Sequence, residues 1–255
     1  MLMDYKNYIF DLDGTLYNGG KAITAAVNFV NELLIHNRRI YFLTNNSTIP
    51  EEEIMQKLRK MNYPVELDSI ITSSMIALDY SIQIPVKNPY IVGERGLKNK
   101  FVFEKTQYVD AVICGLDREF NYDKLYDAAH YISKGAKFIA TNSDRILPTE
   151  NGYSPGAGSI LSSVAYATDT DPIIVGKPSK ICIEYLQKKL NITRENTIFV
   201  GDNLLTDIKQ ADDYGFDSIF VTTGVHNIDD IVRLQVKPKY ISESLGLKGI
   251  EKYED

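Results

Sequence analysis

Tyr8-Ile9-Phe10 followed at once by Asp11-Leu12-Asp13-Gly14-Thr15 joins a short apolar run to two carboxylates, two residues apart, and a glycine. The apolar run reads as a buried strand. Side chains at i and i+2 of an extended segment point the same way. Two like charges held side by side repel unless a cation lies between them or one takes a proton. Gly14 lets the backbone turn where a side chain would clash. The pattern suits a nucleophilic carboxylate, a second carboxylate for proton transfer and a divalent metal.

Outward from this stretch, strands and helices alternate. Ile23, Val27, Val30, Leu33 and Leu34 recur at helical spacing. Ile40-Tyr41-Phe42-Leu43 reads as a second buried strand and ends at Thr44-Asn45-Asn46-Ser47. Thr48 with Glu51 predicts a capping box, with Pro50 in the first turn of a helix to about Met61. Ser69 to Thr72 is a third strand, followed by a helix. This βαβαβ order predicts the α/β class with a parallel, Rossmann-like sheet.

The texture changes near Ile82, where Pro85, Asn88 and Pro89 break the chain. Tyr90–Val92, Ala111–Cys114 and Phe138–Ala140 read as strands, and Tyr122–Lys134 and Ser159–Thr168 as helices. Asn142 to Gly158, rich in Asn, Pro and Gly, reads as a loop. Residues 82–171 are therefore expected to form an inserted α/β domain within a discontinuous core of 1–81 and 172–255. The core resumes with Ile173-Ile174-Val175 before Gly176-Lys177-Pro178-Ser179 and a helix to about Leu190. Thr197–Val200 leads to Gly201-Asp202-Asn203, Thr206-Asp207 opens a helix, and Ser218–Val221 is another strand, with Gly224 following.

The 255 residues suffice for one large domain or two modest ones. A net charge of −6 argues against nucleic acid or an anionic membrane as the main partner. No apolar run approaches the ~18–20 residues of a membrane span, and the N-terminus lacks the apolar stretch of a signal peptide. A cytoplasmic protein is expected. Cys114 and Cys182 sit in apolar surroundings and read as buried free thiols. His36, His130 and His226 have no metal-ligand spacing.

Four predicted strands end in polar sets: Asp11/Asp13, Thr44/Asn45/Asn46, Lys177 and Asp202/Asp207. Ligands gather at the carboxyl ends of parallel strands. Acids for a metal, hydroxyl and amide donors for anionic oxygens and one fixed cation make up an inventory for phosphoryl transfer.

Taken in order, the four sets resemble the motifs of the haloacid dehalogenase superfamily. The Thr-Asn-Asn-Ser form, the long insertion, Ala140-Thr141-Asn142-Ser143-Asp144 and Pro155-Gly156-Ala157-Gly158-Ser159-Ile160 look like its NagD/p-nitrophenyl phosphatase branch. The resemblance implies an Mg²⁺-dependent phosphatase with a cap domain, acting on a small phosphorylated metabolite. Asp11 would be the nucleophile and Asp13 the general acid and base. Mg²⁺ would be held by the Asp11 carboxylate, the Asp13 carbonyl and the Asp202 carboxylate, with Asp207 orienting from outside the ligand shell. Lys177 would neutralise the phosphorylated Asp11. Thr44 and the backbone of Asn45 and Asn46 would bind phosphoryl oxygens. In the cap, Asn142, Asp144 and Leu147 would contact substrate, or Asn142 and Asp144 would only hold the loop's shape. Gly156 and Gly158 allow close backbone approach. A homodimer is implied by analogy. The rival readings are phosphoryl transfer to an acceptor other than water, as in a mutase, a non-catalytic phospho-aspartate module and a metabolite-binding protein.

Overall fold

The computed structural model describes residues 4–101, 108–149, 152–246 and 249–253. In chain order the first elements are β1 (Asn7–Phe10), β2 (Tyr17–Asn18), β3 (Lys21–Ala22), α1 (Thr24–Ile35), β4 (Arg39–Thr44), α2 (Glu51–Lys60), β5 (Ile70–Thr72) and α3 (Ser73–Gln83). Then come β6 (Pro89–Val92), α4 (Arg95–Lys98), β7 (Ala111–Cys114), α5 (Tyr122–Ser133), β8 (Lys137–Ala140), β9 (Ile146–Thr149), β10 (Gly152–Pro155) and α6 (Ala157–Thr168). The chain closes with β11 (Ile173–Ile174), α7 (Lys180–Leu190), β12 (Thr197–Gly201), α8 (Lys209–Tyr214), β13 (Asp217–Val221), α9 (Asp229–Leu234), β14 (Tyr240–Ser242) and β15 (Ile250–Lys252). They form two compact units. The first comprises 1–44, 54–71 and 183–255, and the second 45–53 and 72–182. The expected insertion, 82–171, lies wholly within the second unit.

A seven-stranded sheet, ordered β15-β14-β13-β12-β1-β4-β5, organises the first unit. β1 pairs in parallel with β12 on one side and β4 on the other, with Phe10 level with Val200 and Phe42. A central parallel strand is covered on both faces, which is why Asn7 to Phe10 are all buried and the run is nearly continuous in apolar residues. Phe29 of α1 packs edge-on against Tyr8 and Phe10, each at 6.2 Å between ring centroids. β15 runs antiparallel to β14 and closes one edge.

The second unit has a four-stranded parallel sheet, ordered β11-β8-β7-β6. Val112, Cys114, Phe138 and Ala140 form its core with Ala128 and Ile132 of α5 and Ile160, Leu161 and Val164 of α6. Both cysteines are buried free thiols, as expected. Among the described residues, no helix is long and apolar enough to cross a membrane.

Three expectations of local structure change. The Ile173–Val175 run, expected to rejoin the main sheet, pairs instead with β8, and Val175 N–H donates to Ala140 O at 2.9 Å. An apolar run satisfies its ladder at whichever edge is beside it, and its own sequence does not name that edge. Asn142 to Gly158 is not simply a loop, for it contains the antiparallel hairpin β9–β10. Glu51 forms no capping box with Thr48. Its buried carboxylate accepts from Thr72 Oγ1 at 2.5 Å and pairs with Lys100, while Thr48 donates through N and Oγ1 to Asn46 Oδ1. A buried carboxylate gains more from a cation and a hydroxyl than from a solvent-competing cap.

Candidate active site

In the first unit the two central strands end side by side in acids. Asp11 N–H extends the ladder by donating to Val200 O at 2.8 Å, so Asp11 stands at the carboxyl end of β1. Asp202 follows Gly201, the last residue of β12. Chain order reverses direction across these neighbours, which makes this end of the sheet a topological switch point. Asp207 joins them from a single π-helical turn, Leu204–Ile208. Such turns recur at functional sites. Leu204 and Ile208 pack with Phe220, Ile231 and Val236 and fix the turn to the sheet. The N–H of Leu204 donates to Nδ1 of His226 at 3.2 Å.

Oxygens of Asp11, Asp202 and Asp207 lie within 4.8 Å of one another. Burial, and then the Asp11 and Asp207 charges, push the Asp202 carboxyl well above the usual carboxylate range. Two donors act against that rise: Val225 N–H at 2.7 Å and Thr15 Oγ1 at 3.0 Å. Three hard oxygen donors in so small a space fit a divalent cation such as Mg²⁺, whose charge would offset their repulsion. Asp207, expected outside the ligand shell, offers an oxygen within the same group.

Glycines make the room for these acids. A Cβ on Gly224 would fall 1.9 Å from Asp202 Oδ2, and one on Gly14 would fall 2.3 Å from the same atom. A Cβ on Gly201 would lie 2.2 Å from the Cβ of Asp207. Gly14 also takes a φ of +85°, a conformation open to glycine at little cost. Thr223 Oγ1 donates to Gly14 O at 2.5 Å and pins the turn.

Asp13 is not among the three acids of that group. Its exposed side chain accepts from the buried Tyr17 hydroxyl at 2.8 Å. Lys57 Nζ lies 3.7 Å from the centroid of the Tyr17 ring. Thr44, also in the first unit, is buried at the end of β4.

The second unit holds the remaining expected residues. Asn45 uses its amide as a two-sided clamp: Oδ1 accepts from Lys177 N–H at 2.9 Å, and Nδ2 donates to Lys177 O at 3.2 Å. Nδ2 also donates to Asp144 Oδ2 at 3.0 Å, which Asn142 Nδ2 reaches at 2.5 Å. Lys177 is 3% exposed, a buried cation. Leu147, in β9, is half-buried and level with Ser154 of β10. Gly156 and Gly158 do allow close approach, but to the chain's own backbone: Cβ atoms there would fall 2.2 Å from Asp144 O and 2.5 Å from Ser143 O.

Thr15, Tyr17, Lys57, Gly224 and Val225 were not singled out by sequence. Thr15 and Tyr17 follow the two acids directly, which was a usable signal. Lys57 and the 224–225 pair carried none.

An aspartate closing a central parallel strand, with an acid pair beyond the neighbouring strand, is the arrangement that the resemblance to the haloacid dehalogenase superfamily implies. The model of the haloacid dehalogenase-like hydrolase family matches residues 8–103, and a HAD-hydrolase-like model matches 174–247. An acid sugar phosphatase of Staphylococcus saprophyticus is 35% identical over 98% of this chain and 100% of its own. The crystal structure of a 4-nitrophenylphosphatase from Thermotoga maritima superposes with a TM-score of 0.90, at 30% identity, over 96% of each chain. That of a glycerol phosphate phosphatase from Mycobacterium tuberculosis, in complex with magnesium, gives 0.87 at 30% identity over 95% of this chain and 75% of that one. The chain belongs to the haloacid dehalogenase superfamily, in its NagD/p-nitrophenyl phosphatase branch.

Proposed function

We infer that this chain is a phosphoric monoester hydrolase that acts on small phosphomonoesters through an aspartyl-phosphate on Asp11. The observation that carries the reading is the acid cluster of Asp11, Asp202 and Asp207 at the ends of two adjacent central strands, in a chain whose relatives are phosphatases. Asp11 and Asp202, with Asp207 beside them, are the residues that would hold Mg²⁺. The ion supplies positive charge for the phosphoryl oxygens and for the acids themselves.

The chemistry of the chain's own groups divides the hydrolysis in two. Asp11 forms a bond to phosphorus as the ester P–O bond breaks, and Asp13 gives its proton to the leaving oxygen. Asp13 then takes a proton from water, whose oxygen bonds to phosphorus as the Asp11–phosphorus bond breaks. General acid–base help of this kind contributes ~10²–10⁴-fold. Lys177 supplies a fixed cation for the phosphoryl group, and Thr44 with the backbone of Asn45 and Asn46 supplies donors. These assignments rest on the motif pattern. For Asn142 and Asp144 the internal hydrogen bonds favour holding the loop, leaving Leu147 as the cap residue we place against substrate. We also read the protein as cytoplasmic, in keeping with the absence of a membrane-spanning helix among the described residues, and as a homodimer by analogy.

Phosphate release from a panel of sugar, polyol, nucleotide and nitrophenyl phosphates, with Mg²⁺ and with EDTA, tests this. Metal-dependent release that vanishes in Asp11→Asn, with the fold kept, is expected. Full activity in Asp11→Asn would sink the mechanism.

A further inference from the structure

Asp13 presents a mechanical problem. A group that hands a proton to one leaving oxygen works best when held in one direction, and the Asp13 side chain is exposed. The chain just after it supplies a rigid anchor. Gly14 N–H donates to Tyr17 O at 2.8 Å, and Leu16 N–H to Leu12 O at 2.8 Å. This tight turn brings Tyr17 back alongside Asp13. Tyr17 then enters the β2–β3 hairpin, with Tyr17 level with Ala22. Tyr63 Oη fixes the turn from below, donating to Leu16 O at 2.5 Å. Tyr17 is 3% exposed, so its ring has no freedom to follow a moving partner. Lys57 covers the face of that ring, a contact between cation and π-system that resists tilting.

We propose that Tyr17 is a positioning residue for proton transfer by Asp13. Its hydroxyl anchors Asp13 Oδ2 so that the other carboxylate oxygen is aimed at the leaving oxygen, and Lys57 steadies the Tyr17 ring. This rests on the reading of Asp13 as general acid and base. Tyr17 gives up no proton in either half-reaction. The proton that reaches the leaving oxygen comes from Asp13, and the one taken from water returns to it. Lys57 touches the ring, and its charge is also close enough to Asp13 to attract the carboxylate directly.

The proposal makes a demand that a structural role does not. A nitrophenolate leaves readily without a proton, whereas an alkoxide does not. The value of kcat/KM covers steps up to departure of the leaving group. Aiming Asp13 should therefore matter for an alkyl phosphate and hardly at all for p-nitrophenyl phosphate. The experiment measures kcat/KM for glycerol 3-phosphate and p-nitrophenyl phosphate with wild type, Tyr17→Phe, Lys57→Met and Asp13→Asn, after thermal unfolding has shown each variant to be folded. Tyr17→Phe keeps the ring and loses one oxygen. It is expected to lower kcat/KM about 10–100-fold for glycerol 3-phosphate, a part of the ~10²–10⁴ available to acid–base catalysis, and by less than about threefold for p-nitrophenyl phosphate. Lys57→Met should show the same substrate pattern at smaller amplitude. Equal losses on both substrates in Tyr17→Phe, or none on either, would overturn the role of Tyr17 while a discriminating Asp13→Asn leaves Asp13 in place. A non-discriminating Asp13→Asn would remove the reading of Asp13 and the proposal with it.

Discussion

Gly224→Ala should weaken magnesium binding although residue 224 offers no side chain to the metal. The added Cβ would sit 1.9 Å from Asp202 Oδ2, 2.4 Å from its Cγ and 2.8 Å from its Cβ. An ordinary contact is about 3.5 Å, so the carboxylate would have to retreat by about 1.5 Å. Retreat toward Gly14 leaves the Val225 N–H bond of 2.7 Å and the Thr15 bond of 3.0 Å broken or strained. Asp202 is 1% exposed, so water cannot replace those donors. Overpacking of this kind costs about 1–3 kcal/mol in the folded state. Displacing a group that orients a metal site costs 10–100-fold in affinity, on the order of effects seen when its supporting hydrogen bonds are removed. Calorimetric titration with Mg²⁺, beside urea unfolding in EDTA, reads both quantities. A folded Gly224→Ala that binds Mg²⁺ with wild-type affinity would refute the placing of Asp202 in the metal site.

Two further outcomes follow from the same geometry. In EDTA, Asp202 holds its proton more tightly folded than unfolded, so the native state binds more protons above the unfolded value near 3.8 and stability falls as pH rises through the raised folded value. Mg²⁺ replaces that proton, so the rise it causes in the unfolding midpoint should grow as pH rises above the unfolded value near 3.8, and a rise independent of pH would count against the cluster as its site. Asn45→Ala removes the clamp on Lys177 and one partner of Asp144. Phosphate-release and Mg²⁺ titrations should show kcat down at least about tenfold, since small misplacements of catalytic groups cost on that order, with Mg²⁺ affinity little changed; unchanged kcat would deny Asn45 any hold on Lys177's function.

The part of this protein that sequence could disclose is the part written in local patterns. The apolar run 8–10, the acids behind it and the helical spacing of 23–34 each state their structure within a few residues, and the central strand, its aspartate and α1 follow. The seat of β11 was not legible, because three apolar residues satisfy either sheet and the choice lies with Ala140 across the ladder. The β9–β10 hairpin was hidden by its own composition, since Pro and Gly read as loop whether or not two short strands flank them. Thr48 and Glu51 had the right spacing for a cap, but the pull of Lys100 on Glu51 comes from 49 residues away. Gly224 had no pattern to announce it. Its need for no side chain arises from Asp202, in the loop after β12.

The amides of Asn45 and Asn46 illustrate why such a motif is written as it is. Asn46 Oδ1 accepts from both N and Oγ1 of Thr48 and shapes its own loop. Asn45 meets the N–H and the C=O of Lys177, a residue 132 positions away, with one planar group that carries an acceptor and a donor side by side. Aspartate has no donor for Lys177 O and would set a charge against Asp144. Glutamine has both groups but carries them one methylene too far. Gly176 completes the fit, since a Cβ there would fall 2.6 Å from Asn45 Oδ1. The side chains of both asparagines are thus engaged in fixing backbone, which is in keeping with the proposal that their main chain supplies donors for phosphoryl oxygens. It also ties the main chain of Lys177 to Asp144 at the foot of the hairpin through a single shared amide. A change in the hairpin that moves Asp144 therefore reaches the main chain of Lys177 through Asn45.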